Sequence, residues 1–189
     1  KPLIPVSGRP MVVQAVNDLP PANEHVFILR SDMKNYQNVV DELNTLYPNA
    51  IIKLIEEVTE GQACSAQLGI DELNKKVNNC SDMLTIGACD NGVIYNEEKF
   101  NQLLENPSAD IIVWCIRGYP NAIRNPKMFG WIDAEDGYVK SISVKKPLSD
   151  PKFDPVVLGT FTFKKSSDFS RCLDRLVERN GRVNGEFYI

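Results

Sequence analysis

The chain has 189 residues, 43% of them hydrophobic and 24% charged, the composition of an ordinary globular polypeptide with one sizeable core. Lysine and arginine number 21 against 25 aspartates and glutamates, a formal charge of −4. No stretch concentrates basic residues as nucleic acid or an anionic membrane would require, and no apolar run approaches the ~20 residues of a membrane span.

Taken in chain order, short apolar runs rich in β-branched residues recur at Val26 to Leu29, Ile51 to Ile55, Met83 to Ala88 and Ile111 to Ile116. Helical patterns lie between them. The first carries apolar Tyr36, Val39, Val40, Leu43 and Leu46 or Tyr47, with Ser31 or Asp32 as the expected cap and Pro48 closing it. Ala63, Ala66, Ile70, Leu73 and Val77 trace a second stripe, and a third helix is expected over Glu97 to Glu105 after Asn96. Strand and helix alternating at this spacing predict crossover units on a parallel sheet covered on both faces. The second half adds antiparallel elements, because Gly130 to Ala134 and Tyr138 to Val144 flank Glu135-Asp136-Gly137, a turn that hairpins prefer. Val156 to Phe163 reads as a further strand, and Ser166 or Ser167 as the cap of a helix ended by Asn180-Gly181. The expectation is one domain, residues 1 to 189: an α/β three-layer sandwich with a mostly parallel mixed sheet.

Several chemistries are excluded or weakened. His25, the one histidine, rules out a two-histidine metal site and leaves a Ser-His-Asp device a single candidate; its place at a strand start reads as structural. The five cysteines contain no C-x-x-C pair, so zinc and a disulfide framework are poorly supported. Cys64 and Cys115 read as small buried hydrophobes in a reducing, cytoplasmic setting. There is no G-x-G-x-x-G, and Gly87 and Gly92 have Walker spacing but Val93 stands where the lysine must be. An Asp-x-Asp metal motif is also absent.

In open α/β sheets, ligands bind beyond the carboxyl ends of the strands. Five islands lie near such ends: Lys1-Pro-Leu-Ile-Pro-Val-Ser-Gly-Arg-Pro10, Glu60-Gly-Gln-Ala63, Cys89-Asp-Asn-Gly92, Val144-Lys-Lys-Pro147 and Asn184-Gly-Glu-Phe-Tyr188. Together, and in order along the chain, they resemble the sugar nucleotidyltransferase (nucleotide-sugar pyrophosphorylase) family, with Lys1 to Met11 following its K-P-L-x-P-V-x-G-K-P-M element except for Arg9. The resemblance implies a Rossmann-like nucleotidyltransferase fold, incomplete at both ends: the first strand and phosphate loop would precede Lys1, and a second metal-binding aspartate would follow Ile189. It implies Mg²⁺-assisted, in-line attack of a sugar-1-phosphate or similar phosphorylated acceptor on the α-phosphorus of a nucleoside triphosphate, releasing pyrophosphate. The nucleophile is already an anion and needs no histidine base; metals and lysines neutralise the transferring group.

Residue by residue, the resemblance implies that Lys1 meets the triphosphate, that Gly61 and Gln62 read the base, and that Asp90 binds the metal. Lys146 would approach the acceptor's phosphate, while Gly130, Gly159 and Glu186 would face the acceptor. Lys145 stands where the family has a glutamate for sugar hydroxyls, which points to a more anionic or non-hexose acceptor. Each residue also has a plain structural reading: a solvated lysine, a glycine turn at a helix start, an aspartate opening the Asn91-Gly92 turn, a core tryptophan at Trp131. A catalytically inactive nucleotide-sugar-binding or regulatory domain is the alternative. The expected setting is cytoplasmic, in nucleotide-sugar and polysaccharide biosynthesis, without nucleic-acid or membrane partners and with room for a homo-oligomer.

Overall fold

The computed structural model describes residues 2–76 and 82–189; Lys1, Val77 and Cys80 lie outside them. The opening motif folds as a tight hairpin in which β1 (Pro5–Val6) and β2 (Arg9–Pro10) pair antiparallel. Ser7 and Gly8 both take positive φ, 51° and 79°, as a type I′ turn requires. The hairpin runs straight into α1 (Met11–Asn17), a short helix that the apolar spacing does not mark.

The alternating half then follows as predicted in kind: β3 (Val26–Arg30), α2 (Tyr36–Leu46), β4 (Ile51–Ile55), α3 (Gln62–Lys76), β5 (Leu84–Ile86), α4 (Glu97–Glu105) and β6 (Ile111–Ile116). α5 (Pro120–Arg124) leads to the hairpin of β7 (Gly130–Glu135) and β8 (Tyr138–Val144), whose turn residues Asp136 and Gly137 have φ of 52° and 83°. β9 (Val156–Phe163) and α6 (Ser166–Glu178) complete the order.

Three layers result, and strand alternation accounts for them. Val26 and Ile28 of β3 face Gly69 of α3, while Phe27 and Leu29 pack with Val12 and Val13 of α1 and Val39 and Leu43 of α2. Likewise Phe161 and Phe163 of β9 join Ala63 and Ile70 of α3 and Phe169 and Leu173 of α6. Thr162 turns the other way, accepting the Trp114 indole N–H at 3.0 Å, and Trp114 packs on Phe100 of α4. So α3 and α6 cover one face, and α1, α2 and α4 the other.

The directions of the strands are mixed. β3 and β4 pair in parallel. β5 and β6 also run in the same direction, but β9 lies between them, antiparallel to both, with Thr162 opposite Thr85 on one side and Ile112 on the other. β7 joins the β5 side of β9 through Trp131 opposite Val156. β9 is therefore the strand through which β5, β6 and the β7–β8 hairpin are bound into one sheet.

Two expected caps differ. The Ser31 hydroxyl bonds to the Ile55 carbonyl at 3.2 Å and Asp32 pairs with Arg30, so α2 starts instead at left-handed Asn35. Lys165, not Ser166 or Ser167, sits at the N-cap of α6, whereas Asn96 does cap α4, accepting from the Lys99 N–H at 2.8 Å. β5 is shorter than its apolar run because β9 pairs with only Leu84, Thr85 and Ile86.

Candidate active site

A bulge in β9 shapes the cleft. Val113 lies opposite Phe161 and Cys115 opposite Val157, so Leu158, Gly159 and Thr160 together face the single residue Trp114. Gly159 absorbs the distortion at φ 73°. The bulge frees two carbonyls, and two amide side chains take them: Asn91 Nδ2 donates to the Leu158 oxygen at 2.6 Å, and Gln62 Nε2 to the Gly159 oxygen at 3.2 Å. The loop after β5 and the start of α3 are thus tied to one strand.

The C-terminal segment forms a second wall. Phe187 donates its N–H to the Glu60 carbonyl at 2.7 Å and accepts from the Ala63 N–H at 3.2 Å. A Cβ on Gly61 would lie 2.6 Å from the Phe187 nitrogen, and Gly61 has φ 131°, so glycine is required here by the chain's own backbone. Arg182 reinforces the dock, pairing with Glu60 at 2.7 Å and lying 4.0 Å from the Phe187 ring centre. Beyond Phe187, Tyr188 and Ile189 face the cleft.

The cleft between these walls encloses about 1010 Å³ and is lined by Gln62, Asp90, Gly130, Lys145 and Gly159 together with the aromatic rings of Tyr95, Trp114, Tyr119, Phe129 and Tyr188. Five of the residues implied by the resemblance therefore converge, from sequence positions as far apart as 62 and 159. Four do not. Lys1 lies outside the described residues. Gly61 is buried under Phe187, while Glu186 and Lys146 are exposed, and none of the three lines the cleft. Trp131 is 0% exposed, donates to the Pro126 carbonyl at 2.9 Å and packs with Ala122 and Val156, so it is a core residue.

Asp90 is exposed four residues beyond the end of β5 and, among the described residues, makes no hydrogen bond or ion pair, which leaves both carboxylate oxygens available. No group of three potential metal-ligating side chains occurs among the described residues. Asp90 alone fits Mg²⁺, because that ion commonly takes one or two carboxylates and fills its octahedron with phosphate oxygens and water. Two other titratable groups are tuned. The Tyr188 hydroxyl donates to the Glu186 carboxylate; that bond, then burial, then the carboxylate's charge push its pKa up. Cys115 is exposed in the cleft wall, not the buried hydrophobe its apolar run implies; partial desolvation raises its thiol, opposed by Arg117, which disfavours the nucleophilic thiolate. His25 stands apart, 5.0 Å from the Tyr47 ring centre and with a pKa lowered by burial against the opposing charge of Glu24.

The aromatic wall and the Asn91 tether are absent from the sequence reading. Asn91 is visible there only as part of an Asn-Gly turn, and its partner exists only because β9 is bulged 67 residues later.

Compared with protein-family models and with curated protein sequences, the chain has no match. Solved structures are similar throughout its length. The nucleoside-diphosphate-sugar pyrophosphorylase from Vibrio cholerae RC9 has a TM-score of 0.75 at 18% identity, covering 100% of this chain and 75% of that one. The inositol-1-phosphate CTP transferase from T. maritima has a TM-score of 0.63 at 13% identity, over 100% of this chain and 68% of that one. An apo UDP-glucose pyrophosphorylase has a TM-score of 0.58 at 12% identity, over 92% and 71%. The chain has the fold of the sugar nucleotidyltransferases, and nucleotide-sugar pyrophosphorylases are among its structural neighbours. Among the described residues no helix is long and apolar enough to cross a membrane.

Proposed function

We propose that the chain is a Mg²⁺-dependent nucleotidyltransferase, joining a nucleoside triphosphate to a sugar-1-phosphate or similar phosphorylated acceptor with release of pyrophosphate. The observation that carries the reading is the convergence of Gln62, Asp90, Gly130, Lys145 and Gly159 on one cleft, in a fold whose solved neighbours include pyrophosphorylases and a CTP transferase.

In this reading Asp90 holds the metal, which supplies charge neutralisation to the triphosphate when bound. Gln62 keeps its carbonyl oxygen to accept from a base while its amide nitrogen is engaged with Gly159. The aromatic rings exclude water and offer flat surfaces to base and sugar. Gly130 has no side chain to fill the cleft, and a Cβ there would already touch Val157 at 3.4 Å. Lys1, in the resemblance, meets the triphosphate; Lys146 and Glu186 remain candidates for the acceptor side. Positioning and electrostatics supply the rate, since the attacking phosphate needs no deprotonation.

A second reading, binding without turnover, is favoured by one observation: among the described residues Asp90 is the sole carboxylate side chain lining the cleft. The deciding experiment measures pyrophosphate release from each of the four common nucleoside triphosphates against a panel of phosphorylated acceptors, with Mg²⁺ and with chelator. Metal-dependent release from at least one pair supports the transferase. Calorimetric binding of triphosphate with no release from any pair would replace it with the binding domain.

A further inference from the structure

Lys145 combines three properties that a solvated surface lysine does not have. Its backbone is left-handed, at φ 61°, a conformation that non-glycine residues avoid. Its N–H donates to the Phe129 carbonyl at 2.9 Å, which extends the β7–β8 pairing one step beyond Gly130 and Val144 and anchors the backbone there. Its ammonium is fixed as well, donating to the Met128 carbonyl at 2.6 Å and lying 5.7 Å from the centre of the Tyr188 ring. The charge is preset in position at the solvent-open edge of the cleft and shared between two of its walls.

That charge is uncompensated. Among the described residues Lys145 is the one cationic side chain lining the cleft, and no carboxylate pairs with it. Glu186, the acidic side chain of the C-terminal wall, is engaged by the Tyr188 hydroxyl. An ammonium has three donors and no acceptor, so after Met128 two N–H groups remain. A neutral sugar hydroxyl could take one of them without balancing the charge. An oxyanion satisfies both donors and the charge together.

We propose that Lys145 is the specificity-determining residue of the acceptor end of the cleft, selecting acceptors that present an anionic oxygen cluster there over neutral polyols. The inference rests on the transferase reading for the word acceptor. Two sources share the required chemistry: the acceptor's reacting phosphate, and a separate carboxylate on the acceptor.

The test compares wild type, Lys145→Met and Lys145→Arg with a hexose 1-phosphate and the matching hexuronic acid 1-phosphate. Binding of each acceptor and of the triphosphate is measured by calorimetry whether or not turnover occurs, and KM and kcat are added where it does. Lys145→Met keeps the aliphatic stem and is checked by its thermal midpoint; Lys145→Arg keeps the charge. A charge-assisted bond of the usual strength predicts acceptor affinity weakened about 10- to 100-fold in Lys145→Met, triphosphate affinity within about twofold, and substantial rescue by Lys145→Arg. Loss shared by both acceptors identifies the reacting phosphate as the group held, and loss confined to the uronic acid identifies the separate carboxylate. Unchanged affinity for both acceptors, a loss that falls on the triphosphate instead, or no acceptor binding by the folded wild type overturns the proposal. Binding that weakens in Lys145→Met while the wild type turns over no pair would sustain it and remove the transferase reading alone.

Discussion

Replacing Gly61 by alanine should unfasten the C-terminal wall. The new Cβ would sit 2.6 Å from the Phe187 nitrogen and 3.0 Å from its carbonyl carbon, so the segment has to retreat by roughly 1 Å to reach ordinary contact. That movement breaks two backbone hydrogen bonds, at 2.7 and 3.2 Å, each contributing about 1 kcal/mol. It also loosens Phe187, 1% exposed, whose burial is worth about 2–3 kcal/mol when complete. The positive φ adds about 1 kcal/mol or more. With part of the Phe187 packing retained, the expected loss is about 3–5 kcal/mol. At a urea slope near ~2 kcal/mol/M the unfolding midpoint falls by about 2 M. Gly137→Ala is the matched control: its φ is 83° but nothing lies within 4 Å of the new Cβ, so only the backbone cost of about 1 kcal/mol applies. Equal midpoints for the two variants would refute the argument. Wild-type stability in Gly61→Ala combined with lost nucleotide binding would show instead that the glycine makes room for a ligand.

Asp90→Asn should abolish Mg²⁺-dependent pyrophosphate release and weaken Mg²⁺-dependent triphosphate binding at least tenfold without moving the thermal midpoint, because Asp90 is exposed; unaltered turnover removes it from the metal site. Asn91→Ala deletes the 2.6 Å tether to the Leu158 carbonyl and should cost about 1–2 kcal/mol in urea unfolding while raising KM more than it lowers kcat; a variant as stable as wild type would show that the loop is held by other contacts. The pKa of His25 is lowered in the fold, so its neutral form is favoured there, and the stability it supports is present above its ordinary value of 6.5 and lost as pH falls through 6.5 towards the folded value. His25→Phe should therefore flatten the acid limb of a stability–pH curve below 6.5, and identical limbs would contradict the burial argument.

Most of the framework was legible because local pattern and tertiary context agree. β4, β6, β8 and β9 begin and end where their apolar or alternating runs do. The misjudged places are those where a distant partner decides. β5 stops at Ile86 because β9 offers only three ladder residues, and Ser31 leaves its expected cap for the Ile55 carbonyl on the neighbouring strand. The site was half legible for the same reason. Asp90 and Gln62 stand out by position after a strand and at a helix start, but nothing local shows that a bulge at Gly159 will bring Asn91 and Gln62 onto one strand. The Lys145-Lys146 pair illustrates the limit: a left-handed residue turns Lys145 into the cleft and leaves Lys146 exposed, a choice that adjacent identical side chains do not encode.

The central position of β9 has a consequence for how the chain emerges during synthesis. Thr85 of β5 waits for Thr162, 77 residues later, and Trp114 of β6 waits for the same residue for 48. At about 5–20 residues per second, β5 remains without its observed partner for roughly 4–15 s. By contrast β3 and β4, 25 residues apart in register, are complete long before. The larger sheet is thus a late, non-local event, slow by contact order, with open strand edges exposed in the interval. Pulsed amide exchange during refolding should show β5, β6 and β9 gaining protection together and after β3 and β4; simultaneous protection of all five would mean that the topology does not set the order.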